Sequence, residues 1–283
     1  MLKPNEFTLS NGVKIPKIGL GTWKIPDGKE VADAVKYALE IGYRHIDTAQ
    51  VYENESGVGQ GIIDSGVKRN EVFLTTKIWN TIHTYDETIA SFEESLNRLK
   101  VDYVDLLLIH WPNPIDLRDN NAWQKRNEEL WRAFEDLYEQ DRIKAIGVSN
   151  FMIRHLEPLL KTARIKPHVN QIKLAPGLIQ KEVVEYCNKQ DILVEAYSPL
   201  GHGTAFDNPI LIELAKKYNK TIAQIALRWA IQHDFLPLPK SQTRKNIESN
   251  AQIFDFNISS DDMDILDNVK GISEEVNPDT RNF

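Results

Sequence analysis

The stretch RHIDTAQVYEN, residues 44–54, sets Asp47 and Tyr52 five residues apart, one ending a short strand-like run and the other in the loop beyond it. Two later stretches have the same form. TTKIW (75–79) and LLLIHWP (106–112) are β-branched or aliphatic runs that reach an ionisable residue, Lys77 and His110. Runs of this length bounded by polar residues predict buried parallel strands. Titratable residues at the carboxyl ends of such strands are where an α/β barrel keeps its active site. Asp47, Tyr52, Lys77 and His110 are therefore expected to converge on one mouth.

Working outward, strand-like runs fall at 18–22, 45–49, 72–77, 104–110, 145–150, 168–174, 193–199 and 235–240. Amphipathic helices separate them. Val31, Ala34, Val35, Ala38 and Leu39 keep helical spacing, as do Ile89, Phe92, Leu96 and Leu99, and later Ile222, Ile225, Ala226, Trp229 and Ala230. Thr84 with Glu87, and Thr221 with Gln224, fit capping boxes at helix starts. Eight strand–helix units predict a (β/α)8 TIM barrel. Before them, Phe7-Thr8-Leu9 and Val13-Lys14-Ile15 flank Asn11-Gly12, an N-terminal β-hairpin expected to close the bottom of the barrel. No linker composition divides residues 1–283, so one domain is expected. Residues 113–123 and the tail after Lys270 lack periodicity and are expected to form loops over the mouth.

At 283 residues and 41% hydrophobic content the chain suffices for one large core. The 34 basic and 41 acidic residues give a net charge of −7, which argues against nucleic acid as a partner. Cys187 is the only cysteine, so no intrachain disulfide forms. The opening MLKPNEFTLSNG has no apolar core of the kind a signal peptide carries, and no apolar run is long enough for a membrane span. A cytoplasmic monomer acting on a small molecule is the expectation.

Lys77 ends a strand that points into a barrel mouth, and a buried lysine needs a partner, which Asp47 supplies. An ammonium beside a phenol favours phenolate, so Tyr52 is expected to have its pKa lowered toward neutrality and to exchange a proton near pH 7. His110 is suited to orienting a carbonyl oxygen. Two alternatives stand beside this reading: a Schiff-base lyase using Lys77, or a regulatory barrel that binds nicotinamide without turnover. No HExxH occurs and His45-Ile46-Asp47 offers no second histidine at strand spacing, so no metal is expected. Gly57-Val58-Gly59-Gln60-Gly61 follows no strand directly and lacks the last glycine of a Rossmann fingerprint. The better anion site is LPLPKSQTRKN (236–246), with Lys240 and Ser241 ending the eighth strand and Arg244 and Lys245 opening a helix.

These motifs, with GLGTWKIPDG (19–28), GYRHIDTAQVYENESGVG (42–59), VDYVDLLLIHWP (101–112), IKAIGVSNF (143–151), VNQIKL (169–174), EAYSPLG (195–201) and LPKS (238–241), resemble the aldo-keto reductase superfamily over nearly the whole chain. The resemblance implies a metal-free carbonyl reductase using NADPH, with Tyr52 as general acid, Lys77 and Asp47 as its pKa-lowering pair, and His110 orienting the carbonyl. It implies that Ser149, Asn150 and Gln171, with Asp47, hold the nicotinamide end and that Tyr197 stacks on the ring. It implies Ser198 and Leu200 on the pyrophosphate side, Lys240 and Ser241 at the 2′-phosphate, Asn250 at the adenine, and Thr22 and Trp23 within the cofactor set. Trp23, Trp79 and Trp111 match substrate-pocket walls, and three tryptophans at strand ends suggest an apolar pocket. Two departures stand out. Asn246 replaces an arginine common six residues after the lysine matching Lys240; Arg244 and Lys245 are available to compensate, and NADH becomes possible. The segment 172–177 (IKLAPG) lacks the acidic residue and the histidine usual after VNQI.

Overall fold

Strand β3 (Leu20–Gly21) opens the sheet. It is followed by β4 (His45–Asp47), β5 (Phe73–Ile78), β6 (Val104–Ile109), β7 (Ile143–Ser149), β8 (Val169–Lys173), β9 (Leu193–Tyr197) and β10 (Leu236–Leu238). Each pairs in parallel with the next. A parallel bridge from Gly21 to Lys240, with Gly21 N–H donating to the Pro239 carbonyl at 3.0 Å, closes β3 onto β10. Glycine suits this closure: a Cβ on Gly21 would sit 3.1 Å from the Leu238 carbonyl oxygen, a tighter approach than side chains ordinarily make. The result is the expected barrel. The computed structural model describes residues 5–282; Phe283 and residues 1–4, where the opening read above as lacking a leader's apolar core begins, lie outside the described residues.

The ring of helices is α1 (Lys29–Ile41), α2 (Glu55–Ser65), α3 (Tyr85–Leu99), α4 (Ala122–Glu139), α5 (Ile153–Thr162), α6 (Lys181–Lys189), α7 (Pro209–Tyr218), α8 (Ile222–Gln232), α9 (Arg244–Ala251) and α10 (Ser260–Asn268). Both capping boxes form, Thr84 with Glu87 on α3 and Thr221 with Gln224 on α8. The apolar helix stripes meet the outward faces of the strands in one large core that includes Val35, Leu39, Phe92, Leu96 and Trp229. The glycine run 57–61 lies inside α2 and serves packing. A Cβ on Gly59 would stand 2.2 Å from the Leu99 carbonyl oxygen, and one on Gly61 2.6 Å from that of Ala32, so α2 wedges tightly between α3 and α1.

The hairpin joins β1 (Glu6–Thr8) to β2 (Lys14–Pro16) through a turn in which Gly12 has φ +85°. Its Leu9 and Ile15 pack on the inward-facing Leu106, Leu108, Ala145, Val169 and Leu236. Asn11 donates to the Lys144 carbonyl at 3.0 Å. The hairpin thus plugs one end of the barrel, as expected. At the other end, residues 113–123 form two short 3-10 turns and the start of α4. They do not line the cavity there, contrary to the expectation of a loop over the mouth. They brace the tail instead: Asn113 donates to Asp279 at 2.7 Å, and Arg118 donates to the Arg281 carbonyl. The tail itself reaches the cavity through Val276 and Arg281.

Candidate active site

Lys77, on the inward face of β5, is 0% exposed, and its ammonium is fully engaged. It donates to Asp47 Oδ1 at 2.7 Å and Oδ2 at 2.8 Å, to the Thr48 carbonyl at 2.9 Å, and to the Tyr52 hydroxyl at 3.4 Å. Burial alone would depress the lysine pKa, but the Asp47 carboxylate and Tyr52 outweigh it and hold the ammonium above its ordinary range. Asp47 ends β4 one strand away and also accepts from Gln171 Nε2 on β8 at 2.9 Å. Thr22 fixes it from behind, its hydroxyl donating to the Asp47 carbonyl at 3.0 Å.

Tyr52 sits on a 3-10 turn, Gln50–Tyr52, clamped on both sides. Gln50 accepts from the Trp79 N–H at 3.0 Å and donates to the Ser91 and Ser95 hydroxyls. Asn54 donates to the carbonyls of Thr22 and Ile25 and accepts from the Thr48 hydroxyl. The phenol is thereby presented to the cavity with Lys77 as its hydrogen-bonding neighbour. Its pKa corrects the expectation of a value lowered toward neutrality. Burial raises it above the ordinary phenol range; Lys77 pulls the other way, but Asp47 partly cancels that pull. Tyr52 is a protonated donor held beside a cation.

His110 follows β6, its ring edge-on to those of Tyr52 at 5.7 Å and Trp79 at 5.1 Å. Burial and the nearby Lys77 charge push its pKa well below the ordinary value, so the imidazole is neutral. Its Nδ1 is buried with no hydrogen-bond partner among the described residues. A proton there would have no acceptor, which favours the tautomer carrying hydrogen on Nε2. Arg126 of α4 orders the adjoining walls. Its buried guanidinium donates to the carbonyls of Trp79 at 3.2 Å, Ile82 at 2.9 Å and Trp111 at 2.9 Å. Burial brings its pKa down to about 9, so it remains a cation near neutral pH.

Asp47, Tyr52 and His110 open into one cavity of about 630 Å³ at the carboxyl ends of the strands, within the size range of small-molecule sites, and the fully buried Lys77 reaches it through its bonds to Asp47 and Tyr52. Of the other residues singled out in the sequence, Trp23, Trp79, Trp111, Ser149, Asn150, Gln171, Tyr197, Ser198, Leu200 and Lys240 line it. Asn150 knits the set together: it donates to the His110 carbonyl at 3.0 Å and the Ser149 hydroxyl at 3.1 Å, and accepts from the Tyr197 hydroxyl at 2.7 Å. Asn150 and Ser198 both hold left-handed backbone, φ 62° and 50°, a strain that collects at ligand sites. Thr22, Ser241, Arg244 and Asn250 do not line the cavity. Ser241 is buried beside the start of α9, and Asn250 is buried on that helix. Arg244 lies over the Tyr37 ring at 4.7 Å. The exposed Lys240 forms no ion pair among the described residues.

The residues present fit a nicotinamide nucleotide. Ser149, Asn150 and Gln171 put a hydroxyl and two amides on the cavity wall, Tyr197 offers a ring, and the exposed Lys240 offers a cation. Among the described residues, no cluster of His, Cys, Asp and Glu is arranged to hold a metal ion. Three features escaped the sequence reading. Glu195 of β9 is fully buried, accepts from Gln171 Nε2 at 2.7 Å, and has its pKa pushed up to about 8 by burial and by Asp47. An acidic residue inside the run LVEAY was the available signal. Lys173 and Arg281 also line the cavity; the first lies in the departing segment after VNQI and the second in the patternless tail.

Residues 17–270 match the Aldo/keto reductase family. A glyoxal reductase from Bacillus subtilis is 49% identical over 259 residues, covering 92% of this chain and 90% of its own. The crystal structure of an aldo/keto reductase from Brucella melitensis superimposes with a TM-score of 0.87 at 43% identity, over 94% of this chain and 99% of that one. A Bombyx mori aldo-keto reductase, solved in complex with NADP, superimposes with a TM-score of 0.86 at 36% identity over 94% and 93% of the two chains.

Proposed function

The chain belongs to the aldo/keto reductase family, an oxidoreductase family acting on carbonyls, and on that premise we propose that it reduces aldehydes and ketones to alcohols with NADPH, Tyr52 being the proton donor. One observation carries this reading: a protonated phenol beside a charged buried lysine, within one ring contact of a neutral histidine, on the wall of a cavity large enough for a small-molecule ligand. The cofactor, when bound, supplies the hydride that reaches the carbonyl carbon. His110 Nε2–H donates to the carbonyl oxygen and fixes its place. As negative charge develops on that oxygen, Tyr52 gives up its proton to it, and the electron pair of the O–H bond stays on the phenolate. An alkoxide is a far stronger base than a phenolate, so a raised phenol pKa does not block the transfer. Lys77 then stabilises the phenolate, and Asp47 keeps Lys77 charged.

Trp23, Trp79 and Trp111 suit an apolar portion of the substrate, and the likeness to a glyoxal reductase supports small aldehydes. Lys240 is the candidate reader of the 2′-phosphate. The same proposal takes residues 1–283 as one domain acting as a cytoplasmic monomer; the single buried Cys187 fits a reducing compartment. No helix among the described residues is long and apolar enough to cross a membrane. The test is oxidation of NADPH, followed by absorbance, with a panel of aldehydes and ketones, and alcohol product identified by mass. Product formation supports the proposal; covalent borohydride trapping of substrate on Lys77 in its place would favour the lyase.

A further inference from the structure

The cavity wall is cationic in a protein whose net charge is −7. Asp47 is the one acidic side chain among the described residues that line it, and Lys77 neutralises it. Against it stand Lys24, Lys173, Lys240 and Arg281. Lys240 has an assignment at the cofactor's far end; Lys173 and Arg281 have none.

Lys173 stands two residues beyond Gln171 on β8, so both side chains leave the same face of the strand, one rung apart, toward the mouth. It is 8% exposed, yet no carboxylate pairs with it among the described residues. Its ammonium donates to the Glu274 main-chain carbonyl at 3.1 Å. Burial and the like charge of Arg281 hold its pKa below the usual range, while Glu274 opposes them weakly. Arg281 reaches the same cavity from the tail. Asp279, two residues earlier, is anchored by Asn113 at 2.7 Å and His155 Nε2 at 3.0 Å. The Arg281 charge is felt by the Tyr197 hydroxyl, and His202 is held below its normal pKa by burial and by the charges of Lys173, Lys24 and Arg281. A buried cation normally has an anion for a partner. Lys173 is buried without one among the described residues, and the exposed Arg281 shares with it the wall of a space large enough for a ligand.

We propose that Lys173 and Arg281 form an anion subsite for the substrate, making carbonyl compounds that carry a carboxylate a preferred class. The proposal rests on the reductase reading above and adds a polar end to the apolar tryptophan walls. A substrate with its carbonyl at Tyr52 and His110, a short apolar body against Trp79 and Trp111, and a carboxylate at Lys173 and Arg281 would use both the apolar and the cationic side chains left outside the cofactor set. The absence of the usual acidic residue from the segment after VNQI follows from the same requirement, because a carboxylate at position 173 would repel such a substrate.

The probes are 4-formylbenzoate and its methyl ester, which present similar aldehydes with and without the charge. Their kcat/KM ratio is measured in wild type, Lys173→Met, Lys173→Arg and Arg281→Met, and 4-formylbenzoate binding is read by quenching of tryptophan fluorescence. Charge-assisted hydrogen bonds are worth about ten- to a hundredfold in affinity. The acid-to-ester ratio is expected to fall about tenfold or more in Lys173→Met and in Arg281→Met, and to survive in Lys173→Arg. A ratio that changes less than about twofold in both methionine variants overturns the proposal. So does a selective loss of NADPH affinity in Lys173→Met at constant ratio, which would assign the lysine to the cofactor diphosphate. Lys173-dependent binding of 4-formylbenzoate without reduction of either probe would uphold the subsite and count against the reductase reading instead.

Discussion

Replacing Lys77 by Met removes the cation from the centre of the site and keeps most of the side-chain volume. The ammonium lies 3.4 Å from the Tyr52 oxygen, a separation at which unit charges attract by about 5 kcal/mol at an effective dielectric near 20. Asp47, bonded to the same ammonium at 2.7 and 2.8 Å, repels a phenolate and offsets part of this. What remains is comparable to one charge-assisted hydrogen bond, about 1.5–3 kcal/mol, or roughly one to two pH units on the phenol. The sign is fixed: Lys77 favours phenolate, so its loss raises the Tyr52 pKa further. Alcohol oxidation, which needs phenolate as base, is expected to fall more than tenfold at neutral pH and to recover only at higher pH. Reduction, which starts from the phenol, is expected to lose less. Stability is also expected to fall, by about 3–5 kcal/mol, because Asp47 stays buried with Gln171 as its remaining side-chain donor. Both directions are assayed across pH on protein shown by thermal melting to be folded. An oxidation profile that does not move would refute the reasoning.

Two other outcomes follow from the surrounding charges. Glu195 keeps its proton in the fold up to about pH 8, whereas an unfolded glutamate loses it near 4.5, so its contribution is complete below 4.5 and declines as pH rises toward 8. Buried His45 and His155, depressed to about 3 from 6.5, act oppositely and cost stability as pH falls below 6.5. Between about pH 6.5 and 8 denaturant midpoints should therefore decline in wild type, by up to about 1.4 kcal/mol per pH unit in stability, and hold nearly level in Glu195→Gln; parallel curves would contradict the assignment. Lys240→Met is expected to weaken NADPH about tenfold and NADH little in fluorescence titrations, the low end being apt for an exposed lysine. Equal losses would remove Lys240 as the reader of the 2′-phosphate.

Much of the barrel was legible because burial leaves a direct mark on sequence. Each of the eight apolar runs overlaps its strand and six contain it; β5 runs one residue past its run and β7 starts two residues before its own, while the capping pairs at Thr84 and Thr221 mark their helix starts to the residue. Asp47, Lys77 and His110 were legible as ionisable residues at strand ends, and Tyr52 by its spacing from Asp47. What the pattern could not carry was contact between distant elements. Nothing local reveals that Gly59 exists to admit the Leu99 carbonyl, or that residues 113–123 face the tail and not the cavity. Nor does a motif report the dielectric around it. The expected lowering of the Tyr52 pKa counted the lysine but omitted burial and Asp47, and burial is the larger effect. Lys173 and Arg281 meet only once the tail crosses the mouth.

The central claim is that Tyr52 delivers the proton. Its hydroxyl has Lys77 as its hydrogen-bonding neighbour, while the ring packs edge-on against His110, so Tyr52→Phe removes the donor and leaves the packing nearly intact. The decisive measurement is single-turnover reduction of a reactive aldehyde by NADPH-loaded wild type and Tyr52→Phe, with cofactor affinity measured on both. The account predicts similar NADPH binding and a reduction rate lower by about a hundredfold or more in the variant. A Tyr52→Phe protein that reduces the aldehyde at close to the wild-type rate would contradict it.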